Sequence, residues 1–162
     1  MRAALVVAGG SPDEVRNAVA ELQAAVGRSP QNAMLRFHLG RALVRQGHLD
    51  QARVQFEEAI KQRPNLTAAR LALAEVHMAR RDYAAALQAV RDLLQLDPGN
   101  LPAKLLRHAA LVSTGNLAQA RSELETVLKE HPGSREALLA LASLNLAERR
   151  YAEAEQQFRK LH

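Results

Sequence analysis

A glycine-rich stretch near the start of the chain is the first place where the sequence could bind a phosphate group. Residues 4–14 read ALVVAGGSPDE, which is an apolar run, two glycines and the start of a helix. Phosphate-binding loops begin in this way, because the backbone N–H groups at a helix N-terminus attract anions. The stretch lacks the Lys-Ser/Thr of a P-loop and the third glycine of a dinucleotide fingerprint. We therefore interpret residues 2–8 as a short helix that Gly9 and Gly10 end.

Histidines are the candidate metal ligands of this sequence. They are His38, His48, His77, His108, His131 and His162. None pairs with another at the spacing of a helical metal site, and there is no HExxH motif. His77 and His108 are the two that we expect to approach each other, but ordinary packing or solvation is the favoured interpretation. The absence of cysteine excludes disulfides and thiolate metal sites. The sequence predicts no metal and no other cofactor.

Carboxylates are numerous but are not arranged for catalysis. The pairs Glu57-Glu58 and Glu123/Glu125 stand among arginines and lysines, a pattern typical of a solvated helix face. No nucleophile and base can be placed together from the sequence. We therefore predict a protein that is not an enzyme and has no small-molecule substrate.

The basic charge of the chain raises the possibility of a nucleic-acid partner. The net charge is +5, from 22 basic and 17 acidic side chains. The arginines are spread along the whole chain, as at Arg36, Arg53, Arg70, Arg91, Arg121 and Arg159. Nucleic-acid binders concentrate such charge on one face and add stacking aromatics, which are only 3% of this sequence. A nucleic-acid adaptor is thus the third-ranked hypothesis, behind two kinds of protein scaffold.

Composition favours an all-α fold. The chain has 162 residues and is 48% hydrophobic, and most of that apolar content is alanine and leucine, which are strong helix formers. No apolar run approaches the ~18 residues that a membrane-spanning helix needs. The first ten residues are too short in their apolar part to favour a signal peptide. The compartment, cytoplasmic or periplasmic, stays open.

The sequence repeats itself every 34 residues. The hexamer GHLDQA at 47–52 returns as RDYAAA at 81–86, GNLAQA at 115–120 and RRYAEA at 149–154. Other columns keep the same step: Pro30, Pro64, Pro98 and Pro132; Ala18, Ala52, Ala86, Ala120 and Ala154; Leu22, Phe56, Val90, Leu124 and Phe158; Val15, Leu49, Tyr83, Leu117 and Tyr151. With so many columns in phase, the chain must be an array of structural repeats.

Each unit of the array is predicted to be a helical hairpin. Residues 33–46 carry one apolar stripe at helical spacing, Gly47 interrupts it, and a second stripe follows to Pro64. Proline cannot continue a helix, so the second helix stops before it. The small residues Gly40 and Ala52 allow the two helices to approach closely. Neither helix can bury its stripe within one hairpin, so successive hairpins must stack.

These features resemble the tetratricopeptide repeat family. The residues that carry the resemblance are Leu39-Gly40, Ala52, Phe56, Ala59 and Pro64; Leu73-Ala74, Tyr83, Ala86 and Pro98; Ala120, Leu124 and Pro132; Leu141-Ala142, Tyr151, Ala154 and Phe158. The resemblance implies an all-α, right-handed α-solenoid of stacked antiparallel helix pairs that forms one continuous domain. The expected bounds are an incomplete leading repeat at 1–32 with its second helix at 12–27, full repeats at 33–66, 67–100 and 101–134, and an incomplete repeat at 135–162. Ser11 and Glu14 are expected to form a capping box before the leading helix.

One repeat departs from the family pattern. Where the family has leucine followed by glycine or alanine, the third repeat has Arg107-His108. A histidine at a position of close approach should push its helix outward or rotate it, and the tight contact should move to Ala109. We expect a local irregularity at this point.

The resemblance also implies where a partner would bind. In this family the first helix of each repeat lines a concave groove that holds a peptide or a helix. The matching residues of this chain are Met34, Phe37, Arg41, Val44, Arg45, Leu71, Glu75, Met78, Leu105, Ala109, Val112, Leu139, Ser143 and Leu146. They describe a largely apolar wall with a basic end at Arg41 and Arg45. The columns that hold a carboxylate clamp in chaperone-binding members contain Phe37, Arg41, Ala72, Pro102 and Leu106 here, so that function is disfavoured.

We therefore hypothesise a non-catalytic scaffold that binds a peptide or amphipathic helix of a partner protein. Many of the groove side chains could instead pack sideways on neighbouring helices and leave little surface exposed. The alternative function is a structural or assembly segment of a larger bacterial-type envelope or secretion protein. The terminal repeats have no polar capping helix, which indicates either a fragment of a longer array or self-association through these repeats.

Overall fold

The computed structural model describes residues 10–161, and within them it contains nine α-helices and no strand. The helices are α1 (Pro12–Arg28), α2 (Ala33–Arg45), α3 (Leu49–Gln62), α4 (Thr67–Ala79), α5 (Tyr83–Leu96), α6 (Leu101–Ser113), α7 (Leu117–Glu130), α8 (Arg135–Ala147) and α9 (Tyr151–Arg159). The chain divides between Asp97 and Pro98 into two compact units. The first unit contains α1–α5 and the second contains α6–α9.

The helices recur with the period of the sequence. The first helix of each pair, α2, α4, α6 or α8, has 13 residues, and the second helices α3, α5 and α7 have 14. The leading helix, expected at 12–27, extends to Arg28. The short helix expected at residues 2–8 lies outside the described residues. That all the repeats form one continuous domain stays a prediction.

Side-chain caps begin several of these helices, as the sequence leads one to expect. The predicted capping box is confirmed, because the Ser11 hydroxyl accepts a hydrogen bond from the Glu14 N–H and the Glu14 carboxylate accepts one from the Ser11 N–H. The side-chain oxygen of Asn32 accepts from two backbone N–H groups at the start of α2. Asn100 caps α6 and Ser134 caps α8 in the same manner. The first helix of three repeats therefore starts at a side-chain cap.

The turns inside the helix pairs share one backbone conformation. Gly47 has φ 77° and Gly115 has φ 78°, and the equivalent residues of the other two pairs are Arg81 (φ 59°) and Arg149 (φ 60°). Glycine adopts this left-handed conformation without strain, whereas arginine does so at some cost. The turn is thus set by the packing of the helices that it joins, since two residues that disfavour it adopt it as well.

The core of the first unit is built around Phe56, which is fully buried on α3. Gly40 on α2 faces it so closely that a Cβ atom added at Gly40 would lie 2.5 Å from Phe56 Cε1. Ala52 is fully buried in the same cluster. The predicted close approach of α2 and α3 at Gly40 and Ala52 is confirmed.

The second unit shows how the side chain of His108 is placed. The α6 helix has the same length as its counterparts, and His108 is buried within it, with Nδ1 3.1 Å from the carbonyl oxygen of Ala120 on α7. Ala109, to which the tight contact was expected to move, is partly exposed. The expected outward shift or rotation of α6 stays a prediction. That prediction did not foresee the hydrogen bond that the imidazole makes to α7, which keeps the ring inside the helix pair.

Candidate functional site

A concave pocket of ≈ 510 Å³ lies in the first unit, between α2 and α4. We refer to it as the α2–α4 pocket. Its lining residues are Phe37, Arg41, Val44, Arg45, Leu49, Phe56, Ala68, Leu71, Ala72, Glu75, Val76 and Ala79. Six of the residues predicted for the groove are among them, and the first helices of two repeats supply all six. Apolar side chains make up most of the lining, and the charged groups are two arginines and one glutamate.

The α2 side of the pocket presents three residues spaced by one turn of helix. Phe37 is buried, and its ring centroid lies 6.0 Å from that of Phe56, so it shows the pocket little of its surface. The guanidinium carbon of Arg41 lies 6.0 Å from the Phe37 ring centroid, at the limit of a cation–π contact. Val44 is 39% exposed. A ligand on this wall would therefore meet mainly the positive charge of Arg41 and the apolar side chain of Val44.

The α4 side adds an apolar residue and the acidic group of the pocket. Leu71 is partly buried and Glu75 is exposed. Although Glu75 keeps contact with solvent, the pocket walls remove part of its hydration and raise the pKa of its carboxyl, and the positive charge of Arg41 partly offsets that rise. Desolvation thus dominates at this position. Electrostatic interactions inside the pocket are stronger than on an open surface for the same reason.

The basic end predicted at Arg41 and Arg45 lines the pocket. Arg45 also donates a hydrogen bond of 3.3 Å from its Nη2 to the carbonyl oxygen of Gly10. This contact connects the end of α2 with the residues that precede α1. With Glu75 included, the three charged side chains leave the pocket with one net positive charge at neutral pH.

Two methionines predicted for the groove do not line the α2–α4 pocket. Met34 lies in a separate hollow at the start of α2, together with residues 29–33 and Gln62 and Arg63. Met78 is partly buried near the end of α4. Helical spacing predicts them on the same stripe as the pocket residues, but neither side chain is among those that line the α2–α4 pocket.

The remaining predicted residues lie in the second unit. On α6, Leu105 packs against the buried cluster of Leu124, Val127, Ala137 and Leu141, Ala109 is partly exposed, and Val112 is exposed. On α8, Leu139, Ser143 and Leu146 are all exposed and lie at i, i+4 and i+7. Leu105 thus follows the alternative of sideways packing, whereas α8 presents an accessible apolar stripe.

Ala68 and Ala79 stand in the first-helix columns of the groove, and the other four pocket residues were missed as site residues by the sequence analysis. Phe56, Ala72 and Val76 are buried core residues whose inner atoms form the pocket floor, and a periodic pattern assigns such residues to the core alone. Leu49 stands at the first position of α3, directly after the turn that ends α2. Because Leu49 follows the end of α2 so closely in the sequence, it could have been predicted to lie beside the α2 residues of the site.

The two histidines expected to approach each other, His77 and His108, each lie near a polar group of their own repeat. His77 Nδ1 lies 3.7 Å from the Asp82 carboxylate, and His108 faces the Ala120 carbonyl. Burial lowers the pKa of both rings, which favours their neutral forms. Across residues 10–161, no three histidine, aspartate, glutamate or cysteine side chains are grouped as a metal site would require.

Of the helices in the described part of the chain, none combines the length with the apolar character that a membrane span requires.

Models of one protein family match most of this chain. The tetratricopeptide repeat family model matches residues 13–65, 37–100 and 110–161, and a second tetratricopeptide repeat model matches residues 77–128. Together these matches take in nearly the whole described chain. Among curated protein sequences, none matches this chain at a significant level.

Solved structures with the same architecture are numerous. The chain is similar to MamA 41-end from Desulfovibrio magneticus RS-1, with a TM-score of 0.81 at 19% identity over 91% of this chain and 83% of that one. A second MamA crystal structure has a TM-score of 0.80 at 17% identity, covering 91% of this chain and 86% of the other. TTC0263, a thermophilic TPR protein in Thermus thermophilus, has a TM-score of 0.74 at 21% identity, over 91% and 81%. At these identities the likeness shows the fold, and it confirms the predicted all-α solenoid class.

Proposed function

The chain belongs to the tetratricopeptide repeat family, and we propose that it is a non-catalytic scaffold that binds an amphipathic helix or peptide of a partner protein in the α2–α4 pocket. The fold is that of a protein–protein interaction scaffold, and members of the family are typically interaction modules without catalysis. The proposal adds the site and the chemistry of the ligand.

One observation carries the proposal: an exposed arginine, Arg41, stands between apolar side chains in a concave pocket. Val44 is exposed beside it, and Leu71 faces it from α4. Concave apolar surface with a few polar groups is the usual form of a peptide-recognition site. The pocket therefore suits a ligand that supplies both apolar side chains and a negative charge.

The arrangement of the walls favours a helical ligand. Arg41 and Val44 lie about one helical turn apart on the same side of α2, so a partner helix can contact both. Its apolar residues would contact Val44 and Leu71, and its acidic residue would pair with Arg41. An extended peptide could meet the same groups with fewer residues, because its rise per residue is about twice that of a helix. The exposed stripe of Leu139, Ser143 and Leu146 on α8 stays a proposed second contact region.

The proposal can be tested with a designed ligand and a matched pair of variants. The ligand is a fluorescent amphipathic helix of about 15 residues, with leucines at i, i+4 and i+7 and glutamates beside them. Val44→Glu places a negative charge inside the pocket, and we expect it to lower the affinity for this peptide by about tenfold or more, equal to about 1.4 kcal/mol. Fluorescence anisotropy measures the change.

Val54→Glu is the control. Val54 is the same residue type, is exposed to a similar extent (44%) and lies on α3 outside the pocket. Its substitution should leave the affinity unchanged, and circular dichroism should show equal helicity for both variants. Equal losses in the two variants, or no binding by the unchanged protein, would refute the pocket as the binding site. A peptide with lysines in place of the glutamates should bind more weakly if Arg41 selects for negative charge.

A further inference from the structure

We propose that Glu75 is a specificity-determining residue of the α2–α4 pocket, so that the pocket selects a partner helix with acidic residues on one flank of its apolar stripe and basic residues on the other. This inference rests on the function proposed above, and it names the charge pattern of the ligand. It follows from the opposite charges that the two walls carry, from the lack of an ion pair between them and from the restricted access of water to Glu75.

The two walls of the pocket carry charges of opposite sign at equivalent positions. Arg41 on α2 and Glu75 on α4 are 34 residues apart, which places them in one column of the repeat, and both line the pocket. The same column holds Ala109 and Ser143 in the next two repeats. Among these four repeats, charge in this column therefore occurs at the α2–α4 pocket alone, and it changes sign from one wall to the other.

Glu75 is the polar group that the α4 wall offers to a ligand. Leu71 precedes it by about one turn and Ala79 follows it by about one turn, and all three line the pocket. Within residues 10–161, the Glu75 carboxylate accepts no hydrogen bond and forms no ion pair, although the charge of Arg41 acts on it. Its oxygens are therefore available to a donor on a bound partner.

The arginines on the opposite wall differ in what they contact. Arg45 donates a hydrogen bond to the Gly10 carbonyl, whereas the guanidinium carbon of Arg41 lies 6.0 Å from the centroid of the Phe37 ring. Across the described part of the chain, Arg41 forms no ion pair with a carboxylate. A ligand between the walls thus meets one positive charge at Arg41 and one negative charge at Glu75.

The environment of Glu75 makes the sign of a ligand's charge important. Loss of water in the pocket raises the pKa of its carboxyl, and Arg41 offsets that rise only in part. The ionised carboxylate is therefore incompletely compensated for the water that it has lost, so a cationic group of a ligand would stabilise it. A carboxylate of a ligand on this side would instead be repelled, and repulsion of this kind excludes wrong partners.

A helix that suits both walls must carry different charges on its two flanks. The apolar stripe between the flanks would contact Val44 and Leu71, as proposed above. Its acidic flank would pair with Arg41, and its basic flank would donate charge-assisted hydrogen bonds to Glu75. Because a helix can lie in the pocket in either direction, either flank can face either wall.

Three peptides with the same length and the same leucine stripe test the inference. The first has glutamates on one flank and lysines on the other, and the second has glutamates on both flanks. The third contains the glutamates and lysines of the first, mixed on both flanks, so its net charge is unchanged. We expect the unchanged protein to bind the first at least about threefold more tightly than the second or third, as expected for a partly exposed ion pair. Fluorescence anisotropy measures the affinities, and circular dichroism checks that the free peptides are equally helical.

Substitutions of Glu75 test its role directly. Glu75→Gln removes the charge and keeps the size of the side chain, so the first peptide should lose its advantage over the second. Glu75→Arg places positive charge on both walls, and the second peptide should then bind most tightly. Glu21→Gln is the matched control, because Glu21 is also exposed and lies on α1 outside the pocket. This variant should keep the order of the unchanged protein.

Two results would overturn the inference: equal binding of the first two peptides by the unchanged protein, or a preference for the first that survives Glu75→Gln. If Val44→Glu still weakens peptide binding in either case, the proposed function stands while this inference fails. If the unchanged protein binds none of the peptides, both are refuted.

Discussion

His108 illustrates how a single residue adapts to a position that the repeat reserves for small side chains. The same column holds Gly40, Ala74 and Ala142 in the other repeats. The imidazole is accommodated because its Nδ1 faces the Ala120 carbonyl, a buried acceptor on the neighbouring helix. A neutral ring that donates Nδ1–H satisfies this carbonyl and avoids placing a charge in the core.

The stability of the protein should therefore depend on the protonation of His108. Burial lowers the pKa of His108 below its ordinary 6.5, although the Ala120 hydrogen bond and Glu123 oppose the shift. Because the folded pKa is the lower one, the unfolded chain binds more protons between the two values, and stability rises with pH in that interval. We predict that the free energy of unfolding falls as the pH drops from 6.5 towards the folded pKa of His108.

Urea unfolding at a series of pH values measures this effect. His38 and His77 also have lowered pKa values, so the comparison must be with His108→Ala, which retains them. The variant will be less stable at neutral pH because it loses a buried side chain, but its stability should fall less steeply with acid. Parallel pH profiles for the two proteins would show that His108 does not contribute to the pH dependence.

At the scale of helices, the pairs α2–α3 and α4–α5 each make a hydrogen bond to the loop that precedes them. Arg36 Nε donates to the Pro30 carbonyl and Arg70 Nε donates to the Pro64 carbonyl, each at 2.9 Å. The two contacts occur at the same place in successive repeats and satisfy a carbonyl where the chain changes direction. Gly40 and Phe56 pack so closely that no space is left between them for a methyl group.

Gly40→Ala should destabilise the protein in spite of the higher helix propensity of alanine. The added methyl would lie 2.5 Å from the Phe56 ring, which is fully buried and cannot move aside freely. Overpacking of this kind costs about 1–3 kcal/mol, more than the ~1 kcal/mol that alanine gains over glycine within a helix. Chemical denaturation should show a lower free energy of unfolding.

A double variant tests whether the loss of stability comes from the steric contact between residues 40 and 56. The second repeat carries Ala74 and Val90 in the columns of Gly40 and Phe56. Gly40→Ala combined with Phe56→Val reproduces that pairing and should cost less than the sum of the two single changes. Strict additivity would mean that Gly40 and Phe56 do not interact as the packing indicates. Gly27→Ala, where a Cβ meets no atom within 4 Å, should be neutral or stabilising.

At the scale of the whole molecule, successive helices follow one pattern and α9 differs from it. The other second helices have their Phe56, Val90 or Leu124 column fully buried, whereas Phe158 of α9 is exposed. Repeat arrays gain stability from contacts between neighbours, so a helix with one covered side is more easily opened.

Hydrogen exchange should reveal this difference. We predict that, in dilute solution, the amides of α9 exchange faster than those of α3 and α7, which are covered on both sides within their units. The measurement is hydrogen exchange followed by mass spectrometry in dilute solution. Equal protection of α9 and α3 in the dilute sample would contradict the prediction.

The fold could be predicted from the sequence because the residues that specify it act locally. Prolines end helices, small residues mark close contacts, and asparagine or serine caps begin helices, and each acts within a few positions of the chain. The 34-residue recurrence then repeats these signals several times. For this reason the class of fold, the hairpin units and the close approach of α2 and α3 at Gly40 were predicted correctly, whereas the Phe56 ring that Gly40 contacts was seen only in the structure.

The site could be predicted only in part from the sequence, because it depends on which side-chain atoms remain exposed after the helices pack. One column of the repeat holds Phe37, Leu71 and Leu105. Their surroundings nevertheless differ, because Phe37 is buried against Phe56, Leu71 lines the pocket and Leu105 packs on the core of its unit. His108 stayed inside because a carbonyl on another helix accepts its hydrogen bond. Exposure and hydrogen bonding of this kind are set by neighbours distant in the chain, so they become known when the helices are packed in three dimensions.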